Sequence, residues 1–93
     1  DILQLSAGCY EFDGMVLLDD IADMLPLSFG DPEEDTIGGY VFGLLGRKPE
    51  VGDEVRIGGY TFKILKTEGF RVVRVQATPL AEEPAEQKDE GDE

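Results

Sequence analysis

Three segments of the C-terminal half alternate apolar and polar residues, and the glycines between them leave few ways to fold. Glu54 to Ile57, Tyr60 to Thr67 and Phe70 to Ala77 read as strands, separated by Gly58-Gly59 and Glu68-Gly69. Both dipeptides suit two-residue hairpin turns, which demand a positive φ that glycine adopts at little steric cost. Turns of that length also dictate register. The first hairpin opposes Ile57 to Tyr60 and Val55 to Phe62; the second opposes Tyr60 to Ala77, Phe62 to Val75 and Ile64 to Val73. All of these fall on one face, so the predicted meander has one buried side and one polar side. The polar side receives Arg56, Thr61 and Gln76 in one row and Glu54, Lys63 and Arg74 in the next.

The N-terminal half follows another rhythm. Ile2 to Leu5 and Cys9 to Phe12 read as short strands, and Asp13-Gly14 is a turn dipeptide. Leu18, Ile21, Ala22 and Leu25 then recur at i, i+3, i+4 and i+7, which predicts an amphipathic helix from Leu17 to Met24 or Leu25, with Asp19, Asp20 and Asp23 outward and Pro26 as its stop. After a polar loop from Ser28 to Glu34, Thr36 is a natural N-cap. Ile37 to Leu45 has helical spacing, and Gly46-Arg47-Lys48-Pro49 is a C-terminal signal. This second helix carries Gly38, Gly39 and Gly43, each costing up to about 1 kcal/mol relative to Ala in a helix interior. Close approach of the helix to a strand or to the other helix would explain them.

The chain of 93 residues, 41% hydrophobic, suffices for one small domain, here residues 1–79. Residues 80–93 form a tail: the acid run from Glu82 to Glu93, with Pro84, offers no apolar periodicity and is expected to be disordered. The opening Asp1, running straight into a strand, suggests a piece of a longer protein. No apolar run approaches the ~18 residues that cross a bilayer, so no membrane insertion is expected of this segment. Cys9 is the single cysteine and reads as a half-buried strand residue, consistent with a reducing, cytoplasmic setting. There is no His, which removes the commonest general base and metal ligand and weighs against an enzyme. The net charge of −13 is unevenly spread: ten acids and no base precede Arg47, whereas residues 47–81 hold seven bases and four acids. Most of that surface repels nucleic acid and anionic lipid.

The joint spacing of Asp13-Gly14, Asp35-Thr36-Ile37-Gly38-Gly39, Leu45-Gly46-Arg47-Lys48-Pro49, Gly52-Asp53 and the Gly-Gly-Tyr-x-Phe of Gly58 to Phe62 resembles the transporter-associated domain of CorC/HlyC-type proteins, over residues 5–78. The resemblance implies an α+β fold related to FAD-binding domains of that class, with short N-terminal strands, two helices and a C-terminal three-stranded antiparallel meander. It implies a role modulating magnesium and cobalt efflux, beside CBS domains and a membrane region of the same polypeptide or complex, at the inner face of the plasma membrane. It brings no catalytic residues, and Asp13, Gly14, Asp35, Thr36, Gly38, Gly39, Pro49, Gly52 and Asp53 then stand as a structural signature.

Four sharper possibilities stand beside these readings. Glycines at the start of a helix expose amides that bind phosphate. However, Asp31, Glu33, Glu34 and Asp35 crowd that end, and a like-charge contact near ~4 Å costs up to about 4 kcal/mol at an effective dielectric of ~20, so close packing is the better explanation. Asp19, Asp20 and Asp23 are weak candidates for a divalent cation, but neighbouring acids diverge on a helix and diffuse attraction is the expectation. Tyr40, Tyr60 and Phe62 are candidates for stacking a flavin, but they read better as core aromatics, the tyrosines with wet hydroxyls. Arg56, Lys63 and Arg74 form a basic patch suited to docking an acidic surface. The expected function is a regulatory or interaction module that holds no cofactor. The alternative is a small-ligand sensor for an adenine or flavin nucleotide.

Overall fold

A computed structural model describes residues 2–6 and 8–80; the acidic run from Glu82 to Glu93 lies outside the described residues. The elements in chain order are β1 (Ile2–Ser6), β2 (Cys9–Asp13), α1 (Leu18–Met24), α2 (Ile37–Leu45), β3 (Glu54–Ile57), β4 (Tyr60–Glu68) and β5 (Arg71–Pro79). The strands make one antiparallel sheet in the order β1-β2-β5-β4-β3. The predicted meander therefore forms one end of a larger sheet, and the N-terminal hairpin extends it. Strand β2 joins β5 through Tyr10↔Ala77, Glu11↔Gln76, Phe12↔Val75 and Asp13↔Arg74. That pairing joins the two ends of the domain and has no local signal.

The first hairpin has the predicted register, Ile57↔Tyr60 and Val55↔Phe62. The second differs by two residues: Phe62 faces Ala77, Ile64 faces Val75 and Tyr60 faces Pro79. Its turn is Gly69-Phe70 rather than Glu68-Gly69, because Gly69, at φ +61°, takes the first turn position instead of the second. A shift of two preserves parity, so the face assignments survive at Tyr60, Phe62, Ile64, Val75 and Ala77 while the neighbours change. Nearer the turn they do not: the register is irregular between Ile64 and Thr67, and Val72 is buried where Val73 was expected, with Val73 only half-buried. Lys63 lies between Glu54 and Gln76, and Arg74 lies between Lys66 and Asp13, so Arg74 is not in the row of Lys63.

One face of the sheet carries Phe12, Phe62, Ile64, Val75 and Ala77, all fully buried. Residues Leu18, Ile21 and Leu25 from the α1 segment and Ile37 and Val41 from α2 complete the core on that side. Ala22 does not share it; Leu18, Ile21 and Leu25 already span the contact, and Ala22 is exposed. Tyr60 and Phe62 are core residues, whereas Tyr40 is half-buried and meets Phe29 edge-on at 5.1 Å. Cys9 is half-buried in β2.

Candidate functional site

The start of α2 decides whether the glycines could hold a ligand. Thr36 is the N-cap: its backbone is extended and its Oγ1 accepts from the Gly39 amide at 3.2 Å. The two amides before Gly39 are also engaged, Ile37 N donating to Val16 O at 2.9 Å and Gly38 N to Gly14 O at 2.8 Å. These are the amides a helix offers an anion. Since all three donate within the protein, a phosphate would have to displace existing bonds as well as meet the local acids.

The same bonds knit the first turn of the chain to α2. Asp13 Oδ1 accepts from Met15 N at 2.9 Å, Gly14 N donates to Val73 O at 2.7 Å, and Leu18 N donates to Asp35 O at 2.9 Å. Backbones cross here at contact distance. A Cβ on Gly14 would stand 2.1 Å from Val72 O, and one on Gly38 would stand 2.8 Å from Val72 O and 2.9 Å from Gly14 O. The close approach anticipated for the helix glycines is thus real at Gly38. It does not extend to the others: a Cβ on Gly39 would meet chiefly the tip of Glu34, and one on Gly43 would meet nothing within 4 Å.

The loop after α2 is held by the other motif residues. Gly46, at φ +68°, caps the helix by donating to Phe42 O at 3.2 Å. Arg47 grips Asp53 with two bonds, Nη2 to Oδ1 at 2.8 Å and Nη1 to Oδ2 at 3.0 Å, and Asp53 Oδ2 also accepts from Glu50 N at 2.8 Å. The hydrogen bonds from Arg47 and then from Glu50 N hold the Asp53 carboxyl below the usual range, and the same pairing raises Arg47. Pro49 is fully buried, while Gly52 N donates to Ile64 O at 2.9 Å and Ile64 N to Asp53 O at 2.8 Å, stitching the loop to β4.

Charged candidates are dispersed differently from the sequence reading. Arg74 Nε bonds to Glu11 Oε2, with Asp13 Oδ2 4.0 Å from Nη1, so its charge is spent inside the sheet. The addition of β2 to β5, invisible from the turns, brings those acids to it. Arg56 and Lys63 have no ion-pair partner among the described residues. Asp19, Asp20 and Asp23 are exposed on α1, and Asp19 shares an open cleft of about 400 Å³ with Glu34 and Asp35. Among the described residues, no three acidic or thiol side chains converge as a metal site.

A second open cleft, about 430 Å³, lies between α2 and the β4–β5 turn. Gly14, Gly38 and Gly39 line it, with Met15, Phe42 and Phe70 as apolar walls and Glu68 and Arg71 at the rim. Sequence reasoning passed over Phe42 and Phe70. The usable signal for Phe42 was the absence of any charge in α2; Phe70 was hidden by the misread register, which had placed it within a strand instead of at the turn.

Fold and site together define a small α+β domain in which the recurring motif residues hold backbone to backbone. The family model described as the CorC/HlyC transporter-associated domain matches residues 3–81, and the chain belongs to that family. It is 36% identical over 78 residues to the magnesium and cobalt efflux protein CorC of Vibrio cholerae, covering 84% of this chain and 27% of the relative. It is also 36% identical over 81 residues to the UPF0053 protein YegH of Escherichia coli, covering 86% of this chain and 15% of the relative. The chain therefore spans less than a third of the length of either. Among solved structures, the region associated with an Mg2+ and Co2+ transporter (CorC) from Neisseria meningitidis superposes with a TM-score of 0.78 at 29% identity, covering 84% of this chain and 96% of that one. A transporter-associated domain from a Xylella fastidiosa hemolysin, solved in complex with Mg2+ and Mn2+, shares the fold with a TM-score of 0.75 at 20% identity, covering 85% and 96%.

Proposed function

We propose that this domain is a non-catalytic regulatory and interaction module that modulates divalent cation transport, magnesium or cobalt, by a longer polypeptide or complex containing CBS domains and a membrane region. It would work on the cytoplasmic face of the plasma membrane. The observation that carries this reading is the family match over residues 3–81, together with a CorC relative of which the chain spans 27%. On this reading the signature residues, from Asp13-Gly14 to Asp53, preserve the fold. Contact with the rest of the assembly falls to Arg56 and Lys63 on the polar face of the sheet, because Arg74 is already held by Glu11 and Asp13.

Reversing the charge of Arg56 and Lys63 together should weaken association with the remainder of the assembly while the isolated domain keeps its melting temperature. Unchanged association would sink the docking role. Cations are attracted diffusely by the α1 face, so magnesium should raise the melting temperature no more than sodium at matched ionic strength. Titration with ATP, AMP and FAD addresses the sensor alternative: saturable, local amide shifts would replace the module reading with that of a ligand-binding domain.

A further inference from the structure

Helix α2, from Ile37 to Leu45, contains no charged residue, in a chain of which 31% are charged. A helix that is apolar all round belongs in an interior. The sheet covers one side of α2, and beyond it Tyr40 is half-buried against Phe29 and Gly39 lies under the Glu34 side chain. Ile37, Gly38 and Val41 are buried against the sheet, while Phe42 and Leu44 remain 37% and 50% exposed. At ~100° per residue, Gly39 and Gly43 fall in the middle of the side away from the sheet, with Phe42 on one flank and Tyr40 and Leu44 on the other. The result is a groove open over Gly43, bounded at Gly39 by the Glu34 side chain, and continuous on the Phe42 flank with the cleft that holds Met15 and Phe70.

The ends of this groove carry opposite charge. Asp31, Glu33, Glu34 and Asp35 precede the helix, and Glu34 Oε1 lies 2.6 Å from where a Cβ on Gly39 would be. Arg47 and Lys48 follow it. Arg47 is taken by Asp53, whereas Lys48 Nζ lies 5.7 Å from the Phe70 ring centre and pairs with no carboxylate among the described residues. An antiparallel partner for this groove needs an apolar, glycine-bearing face with the same polarity of charge along it. Helix α2 of a second copy has that face.

We propose that α2 is a self-association surface, on which two copies cross antiparallel about a two-fold axis near Gly43. Glycine allows the two backbones to approach, Phe42 and Leu44 cover the flanks, and each Lys48 reaches the acids from Glu33 to Asp35 of the other copy. The symmetry makes every such pair occur twice. A net charge of −13 on each copy opposes contact at long range, so local complementarity of this kind is what a stable pair requires.

Sedimentation velocity from ~10 μM to ~1 mM should show a reversible monomer–dimer equilibrium. Gly43→Leu separates association from folding: leucine favours the helix and the monomer has room for it, so the melting temperature should hold or rise while the dimer is lost. Lys48→Glu should weaken the dimer on the order of tenfold, from two altered pairs, and adding Glu34→Lys to the same chain should restore it. A monomer across the whole range would overturn the proposal. So would a dimer indifferent to Gly43→Leu or to Lys48→Glu, which would place the contact elsewhere.

Discussion

Gly38 and Gly43 occupy one helix, bear the same sequence-level penalty and answer to opposite surroundings. Gly38 is pressed between two carbonyl oxygens, Val72 O and Gly14 O, whereas Gly43 opens to empty space. The first turn of α2 is thus a junction of three backbone segments, whereas Phe42, Gly43 and Leu44 further along stand exposed. A run of glycines in a helix is therefore not one feature with one cause. Each position must be asked what its missing Cβ would have met.

The largest effect that would test this contrast is at the other side of the junction. Gly14→Ala places a methyl group 2.1 Å from Val72 O, a rigid strand carbonyl, and should cost about 4 kcal/mol or more, leaving little folded protein by urea titration. Gly38→Ala, at 2.8 and 2.9 Å from backbone oxygens, should cost about 2–3 kcal/mol even after its helix-propensity gain. If that variant were neutral, the junction would be looser than its distances imply.

Gly43→Ala should do the reverse, raising stability by roughly 0.5–1 kcal/mol, since alanine is the better helix former and meets no neighbour. Equal destabilisation at 38 and 43 would erase the distinction. The smallest effect lies beyond the helix, at the surface clasp between Arg47 and Asp53. Asp53 has a depressed pKa, so its contribution is present above the ordinary carboxylate range and is lost as pH falls through the lowered value. Asp53→Asn should accordingly be less stable than the parent near neutral pH, and the gap should close as pH falls through the lowered Asp53 value. A gap independent of pH would assign the effect to Glu50 N or to packing, not to charge.

What sequence could reveal followed the range of the forces involved. The bounds of α2, its Thr36 cap and the Gly58-Gly59 hairpin depend on a few adjacent residues, and all were readable. The second hairpin was misplaced because Glu68-Gly69 and Gly69-Phe70 both present a glycine to a two-residue turn, and parity alone cannot separate registers two apart. The union of β2 with β5 depends on segments from opposite ends of the domain. With it went the pairing of Arg74 with Glu11 and Asp13, and hence the true extent of the basic patch. The role of Gly38 was anticipated in kind, but which backbone it would touch required that same distant pairing. The exposed walls at Phe42 and Phe70 were missed for separate reasons: Phe70 went with the misplaced turn, and helical spacing alone does not show that α2 has more apolar residues than its buried side can hold.

The junction also governs the order in which the chain can assemble. Gly14 N reaches Val73 O, and Gly38 N reaches Gly14 O, so the helix docks on a turn that is itself held in place by the last strand. The bond from Gly14 to Val73 cannot form until most of the polypeptide has been brought round, which sets an entropic threshold that local helix or hairpin formation does not lower. Once closed, the two amides are shielded by the elements they join. Their deuterium uptake should follow unfolding of the whole domain, which makes Gly14 and Gly38 natural reporters of its global stability.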